Sequence, residues 1–181
     1  LRAAEAYARR QGYRLVGASF GVIPELLDFW RQAGFEPVRI GFRRESTSGL
    51  HAAVVCKGLH RTVRADLDRL RRDVAADWPI WREGALSGLD PATADSVGRC
   101  LPEAASGWRV GDVDSVRAFA HSQRPFELAL PALRRWLDAG SPCLGHLPRP
   151  ERQLLDASVL RVLDWPRLCG LSGESGRNGV V

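Results

Sequence analysis

Two hydrophobic rhythms divide the chain. Between Tyr13 and Leu59 the apolar residues come in short runs and alternations, whereas beyond His60 they recur every three to four positions. The stretch YRLVGASF is rich in β-forming residues and bounded by Gly12 and Gly21, which predicts a strand. Pro24 suits a first helical turn, Glu25 lies near the positive end of the helix dipole and Gly34 supplies a stop, so a helix is expected over about 24–33. PVRIGF alternates, and LHAAVVCKGL reads as a last strand running into a loop. Strand, helix, strand, turn, strand is an α/β unit in which the strands flanking the helix share one sheet. A helix precedes it: RAAEAYARRQ places Ala3, Ala4, Tyr7 and Ala8 on one stripe, and Gly12 ends it.

In the second half, TVRADLDRLRRDVAADW carries Val63, Leu67, Leu70 and Val74 on one helical face, with Pro79 expected to end the helix. WREGALSGLDP reads as a loop and PATADSVGRCL as a second helix. ASGWRVGD reads as a linker, with Asp112 or Asp114 capping a helix that runs to about Ser122. Arg124-Pro125 restarts the chain into FELALPALRRWLDAG, closed by Gly140. SPCLGHLPRP is another expected loop, and in ERQLLDASVLRVL the residues Leu154, Leu155, Val159 and Val162 make an apolar stripe. Beyond Trp165-Pro166 the Gly/Ser-rich end has few anchors and is expected to be poorly ordered. The expected architecture is α+β, with an α/β sheet unit over 1–60 and a small all-α domain over 61–181 packed on it, 166–181 being its tail.

Composition bounds the function. A chain of 181 residues suits one or two domains with a real core. The net charge of +5 is carried by arginine, since Lys57 is the only lysine; nine of the 26 basic residues but only five of the 21 acidic ones lie before position 61. The first segment is therefore modestly basic. A genome that writes arginine for lysine explains the arginine bias equally well, because overall charge speaks to solubility and non-specific binding. No apolar run approaches the roughly 20 residues of a membrane span and no signal peptide opens the chain, so no membrane partner and a cytoplasmic location are expected. Cys56, Cys100, Cys143 and Cys169 form no CxxC pair and His51, His60, His121 and His146 are equally scattered; reduced thiols and no metal are the expectation. The chain has no methionine and opens inside a helix, which is read as a C-terminal fragment of a longer protein.

The segments SFG, PELLDFWRQAGF and RRESTSGLHAAV resemble the closing half of a GNAT acetyltransferase domain, in the version of the bacterial tRNA(Met) cytidine acetyltransferases. The run F-W-R-x-x-G-F followed by R-R-E-x-x-S-G carries most of that resemblance, and FAHSQRPFELALPALRRWL resembles the same family's C-terminal helical domain. The resemblance implies acetyl-CoA as donor, elongator methionine tRNA rather than DNA as partner, and transfer of acetyl to the N4 amine of the wobble cytidine. It also implies an upstream helicase-like module that hydrolyses ATP, and a pyrophosphate-gripping loop that precedes Leu1. The 181 residues alone are accordingly expected to be inactive.

Candidate site residues follow. On the helix after Pro24 the residues Leu26, Phe29, Trp30 and Ala33 form the expected core stripe; Glu25 and Gln32 fall within about 20° of each other at its edge. In GNAT domains this helix lines the cofactor cleft, so the resemblance implies acetyl-CoA contacts from Glu25 and from the Arg31–Gln32 turn. Ser19 and Phe20, ending the first strand, would lie near the thioester. The plainer account makes Glu25 a carboxylate serving the helix dipole, Gln32 a solvated amide and Ser19 a turn residue. Many GNAT enzymes carry a tyrosine where Trp30 stands; an indole N–H is no general acid at neutral pH, so that role is not carried over and no catalytic residue is assigned. His51, a lone histidine entering the last strand, reads as structural. Arg43 and Arg44 beside Ser46–Gly49 suit phosphate oxygens, as do Arg69, Arg71 and Arg72 off the next apolar stripe, although Asp66, Asp68 and Asp73 blunt their field. Solvated surface arginines are the alternative. Trp78, Trp81, Trp108, Trp136 and Trp165 are core or interface rings, with base stacking as a further use. A second reading of the whole chain is a non-catalytic helical module that binds RNA or protein on an α/β scaffold.

Overall fold

The computed structural model describes residues 1–140, 145–159 and 169–170. Helix α1 (Arg2–Arg10) leads through Gly12 into strand β1 (Leu15–Gly21), helix α2 (Pro24–Gln32), strand β2 (Glu36–Arg44) and strand β3 (His51–Gly58). The three strands form one sheet in the order β1-β3-β2, with β3 antiparallel to both neighbours. The strands that flank α2 thus share a sheet, as expected, but β3 is inserted between them. Pairing of β1 with β3 runs unbroken from Leu15↔Gly58 to Gly21↔Ala52. Pairing of β2 with β3 shifts register between Pro37 and Arg39 and again between Ile40 and Arg44.

Opposed residues of an antiparallel ladder share a face, so Phe20 lies with Ala53 and Ala18 with Val55. That face is the core of the first half: Ala53, Val55 and Leu27 are wholly inaccessible, and Val22 nearly so. Lys57, two positions beyond Val55, fastens α1 and α2 to it. Its ammonium pairs with Glu5 of α1 at 2.8 Å and donates to the Ala33 carbonyl at the end of α2 at 2.7 Å. A cation there also complements the negative end of the α2 dipole. Gly34 follows at φ +80°, a left-handed stop that only glycine adopts without penalty.

The roll of α2 differs from the expected one. Leu27 is the fully buried residue, while Leu26 and Phe29 are 38% and 52% exposed. The buried line therefore runs from Ile23 through Leu27 and Trp30, and Glu25 and Gln32 stand on the outer face rather than at the core margin.

Helix α3 (Arg61–Glu83) is longer than the sequence suggested, because Pro79 lies inside it. A proline within a last turn removes one backbone hydrogen bond. The loss is offset by Trp81 just beyond, which is 6% exposed and meets the Phe42 ring of β2 edge-on at 5.5 Å. Leu70, placed on the core stripe by periodicity, is 43% exposed; the buried face near the end of the helix is Val74, Ala75, Asp77 and Trp81. Arg71 ties α3 down, pairing with Glu36 of β2 at 2.8 Å and donating to the Cys100 carbonyl at 2.8 Å. Cys100 ends helix α4 (Pro91–Cys100), whose N-cap Asp90 accepts the Thr93 N–H at 2.9 Å.

Two compact units are present, Leu1–Ala105 and Ser106–Val181. Residue 60 marks the change from mixed to helical structure, but α3 and α4 belong to the same unit as the sheet. In the second unit, helices α5 (Val110–Ala120), α6 (Phe126–Asp138) and α7 (Arg149–Val159) follow one another. The N-cap of α5 is Arg109, not an aspartate; Asp112 stands at the third helical position and accepts the Arg109 backbone N–H at 2.9 Å. Pro131 lies buried inside α6. Phe119 and Phe126 pack across the turn between α5 and α6 with ring centroids 5.7 Å apart. Val162, Trp165 and all of the expected loose tail except Cys169 and Gly170 lie outside the described residues.

Candidate functional site

The end of β1 and the inner line of α2 meet at an aromatic stack. Phe20 lies nearly parallel to Trp30 with centroids 5.9 Å apart, and Trp30 is in turn met edge-on by Phe29 at 5.5 Å and by Phe35 at 4.8 Å. Offset stacking of this kind holds each ring in place. Phe20 is therefore a half-buried packing residue. Ser19 alternates to the opposite face, opposite Val54, and is exposed.

Glu25, Phe29 and Gln32 form one exposed line along α2. Their spacing of four and three residues puts a carboxylate, an aromatic ring and an amide side by side. Arg31 is also exposed and approaches Asp28 at 3.7 Å, an exposed pair that adds little to stability. Ile23 precedes the helix with extended backbone and gives no side-chain cap. Among the described residues the outer edge of β1 has no strand partner, so its outward main-chain N–H and C=O groups remain open for hydrogen bonding. Glu25, Arg31 and Gln32 are thus exposed together on α2, whereas Ser19 is exposed on the sheet face opposite to Phe20; the fold does not bring Ser19 into one cluster with the other three.

The five arginines divide into two groups. Arg43 and Arg72 are exposed and make no ion pair or side-chain hydrogen bond among the described residues. Arg69 is 74% exposed at its side chain and 3.5 Å from Asp66. Arg44 donates to the Gly88 carbonyl and Arg71 serves as the strut between α3, β2 and α4, so these two are engaged by the fold itself. Periodicity could place Arg71 off the apolar stripe; only the tertiary pairing with Glu36, 35 positions away, reveals its occupation. Trp81 is core, while Trp108 is 42% exposed.

His51 was not assigned a role beyond structure, and its surroundings are more specific than that. The residue is 6% exposed, and its Nδ1 lies 2.8 Å from the Gly41 carbonyl across the second register shift of β2. Its own carbonyl accepts the Val22 N–H at 2.8 Å, at the β1–α2 junction. Burial raises the thiol pKa of Cys56 and Cys100 above the ordinary value, so neither is poised as a thiolate. No group of three or more His, Cys, Asp or Glu that could hold a metal occurs among the described residues, and no described helix is long and apolar enough to cross a membrane.

Residues 3–60 match the family GNAT acetyltransferase 2. A tRNA(Met) cytidine acetyltransferase TmcA of Nitrosococcus halophilus is 30% identical over 184 residues, covering 94% of this chain and 24% of that protein. The protein of the same name from Yersinia pestis is 32% identical over 76% of this chain and 19% of its own length. That from Thermofilum pendens is 38% identical over 69 residues, 38% of this chain and 9% of its own length. The chain spans about a quarter or less of the length of these relatives. Residues 3–60, which hold α1, α2 and the antiparallel β1-β3-β2 sheet, thus belong to a GNAT acetyltransferase domain.

Proposed function

We propose that this chain supplies part of the acetyl-donor site and an RNA-facing surface of a tRNA acetyltransferase, which transfers acetyl from acetyl-CoA to the N4 amine of the wobble cytidine in elongator tRNA(Met). The observation that carries the reading is the exposed line Glu25–Phe29–Gln32 on α2 beside the open edge of β1. A carboxylate, an amide and unpaired main-chain groups next to an aromatic ring suit a long ligand that alternates amide and alkyl segments. Acetyl-CoA supplies the activated thioester. Ser19, Glu25, Arg31 and Gln32 would hold it, with Phe20 and Trp30 fixing the floor beneath.

The RNA side rests on Arg43, Arg69 and Arg72, with Arg44 contributing what its bond to Gly88 leaves free and Arg71 acting mainly through the fold. Guanidinium groups of this kind bind phosphate oxygens and give affinity without reading sequence. Holding donor and acceptor together is the larger part of such a reaction, since orientation converts a bimolecular encounter into a local one. ATP hydrolysis, the cytoplasmic location and the choice of methionine tRNA belong to the same proposal and rest on the relatives' names and on the sequence resemblance. The test is transfer of labelled acetyl to methionine tRNA by a full-length protein carrying this chain, with and without ATP. Label on cytidine N4 supports the reading; tRNA binding without any transfer would favour the non-catalytic module instead.

A further inference from the structure

We propose that His51 is the proton acceptor of this transfer, its Nε2 taking the proton that the attacking amine loses; this rests on the acetyl-transfer reading above. His51 lies between the two candidate surfaces. Its main chain is bonded to Val22, immediately after the Ser19–Phe20 end of β1, and its register partner on the other side is Arg44, beside Arg43. Phe20 and His51 are on the same sheet face, because Phe20 opposes Ala53 and His51 is two residues from Ala53.

The imidazole is held in a defined state. A carbonyl can only accept, so the 2.8 Å contact with Gly41 requires that Nδ1 carry the hydrogen. That leaves Nε2 as a bare acceptor in the neutral ring. Nε2 makes no hydrogen bond among the described residues, yet it is not one of the sealed, unsatisfied side-chain atoms, which are only Arg71 Nε and Arg109 Nε there. A residue only 6% exposed therefore keeps one ring nitrogen outside the sealed set and open to an outside partner.

Bridging the register shift of β2 explains Nδ1 alone. A plain donor such as asparagine would satisfy the Gly41 carbonyl, whereas the second nitrogen adds an acceptor that the fold does not use. In the proposed step a C–N bond forms between the amine and the acetyl carbonyl carbon as the C–S bond breaks. The amine proton passes to Nε2, the sulfur leaves with the bonding pair as thiolate, and the imidazolium then returns the proton to solvent. General-base assistance of this kind contributes about 10²–10⁴-fold.

The test compares His51→Asn and His51→Ala with wild type in a full-length protein carrying the chain. His51→Asn keeps a donor for Gly41 but has no Nε2. It should retain the wild-type melting temperature and unchanged affinities for acetyl-CoA and tRNA by titration, while kcat falls by about 10²-fold or more. Added imidazole should restore part of the rate to His51→Ala. Independently of turnover, ¹⁵N spectra of the wild-type ring should show the hydrogen on Nδ1 and a bare Nε2. Full activity in His51→Asn, or a hydrogen on Nε2 in the neutral ring, overturns the inference. Wild type that binds both ligands and transfers nothing overturns the underlying reading instead.

Discussion

Asp112 of α5 and Arg135 of α6 form a two-point ion pair, with Nε to Oδ2 at 2.8 Å and Nη2 to Oδ1 at 2.7 Å. The carboxylate is 3% exposed and accepts the Arg109 N–H as well. Burial works to raise its pKa, but the hydrogen bonds from Arg135 and Arg109 and their charges outweigh it, so Asp112 lies below the ordinary carboxylate value. A depressed folded-state pKa means stability that is present above the unfolded value and lost as pH falls through the folded one. The second unit should therefore hold its melting temperature from neutrality to about pH 4 and lose it below. Asp112→Asn should flatten that acid limb and lower the melting temperature at pH 7, by an amount typical of breaking a buried pair, about 3 kcal/mol. An acid limb identical in wild type and variant would remove Asp112 as its source.

On α2, Glu25→Ala and Gln32→Ala should each weaken acetyl-CoA binding by about 1 kcal/mol and leave tRNA affinity alone. Phe29→Ala should weaken it too, since its exposed ring lies between them. Calorimetric titration of a full-length protein measures this; unchanged affinity in all three variants would assign the outer face of α2 to some other purpose.

The arginines should separate by experiment as they do in space. Replacing Arg43 and Arg72 with alanine should weaken tRNA binding and flatten its salt dependence by up to about two counterions' worth of slope, with no change in melting temperature. Arg71→Ala should instead cost about 1–2 kcal/mol of stability, a modest figure because Glu36 is 42% exposed. Filter binding across a salt series and thermal melts distinguish the two. A steep loss of RNA binding in a fully stable Arg71→Ala would reverse the assignment.

The sheet edges differ in how they are guarded. β2 presents Pro37, two register shifts and the exposed Arg39 and Arg43, all of which discourage pairing with a foreign strand. β1 reads LVGASFG, with no charge, no proline and no bulge. The 181-residue chain alone should accordingly associate with rising concentration, and Leu15→Lys should suppress this. Light scattering after size exclusion decides it; a strict monomer at all concentrations would show that the β1 edge is covered.

The sheet unit was legible because its signals are local. Alternation over PVRIGF, the β-rich run before Gly21, and glycines at left-handed stops such as Gly34 and Gly140 act within a few residues. What was not legible depends on partners far along the chain. The one-notch roll of α2 puts Leu27, as inaccessible as Ala53 and Val55, innermost, and a stripe of four hydrophobic positions cannot say which of its edges will turn inward. Pro79 lies in a helix whose next turn is anchored by Trp81 against Phe42, and Asp112 joins its capping bond to Arg109 with an ion pair to Arg135 far along the chain. At the site, residue type pointed to Glu25, Gln32 and Arg43, while the open nitrogen of His51 and the bonded state of Arg44 and Arg71 needed the tertiary contacts.

Lys57, the single lysine among 181 residues, spends two of its three ammonium hydrogens on Glu5 and Ala33. For a protein proposed to work beside an acetyl thioester this has a chemical consequence: lysine amines are the side chains that stray acyl donors modify, and guanidinium groups are not. A chain with 25 arginines and one tethered lysine offers such donors almost no side-chain amine. Folded protein incubated with acetyl phosphate should leave Lys57 unacetylated by mass spectrometry, and Glu5→Ala should make it reactive. Whatever the origin of the arginine bias, its consequence would be a chain with little side-chain amine to lose to an acyl donor.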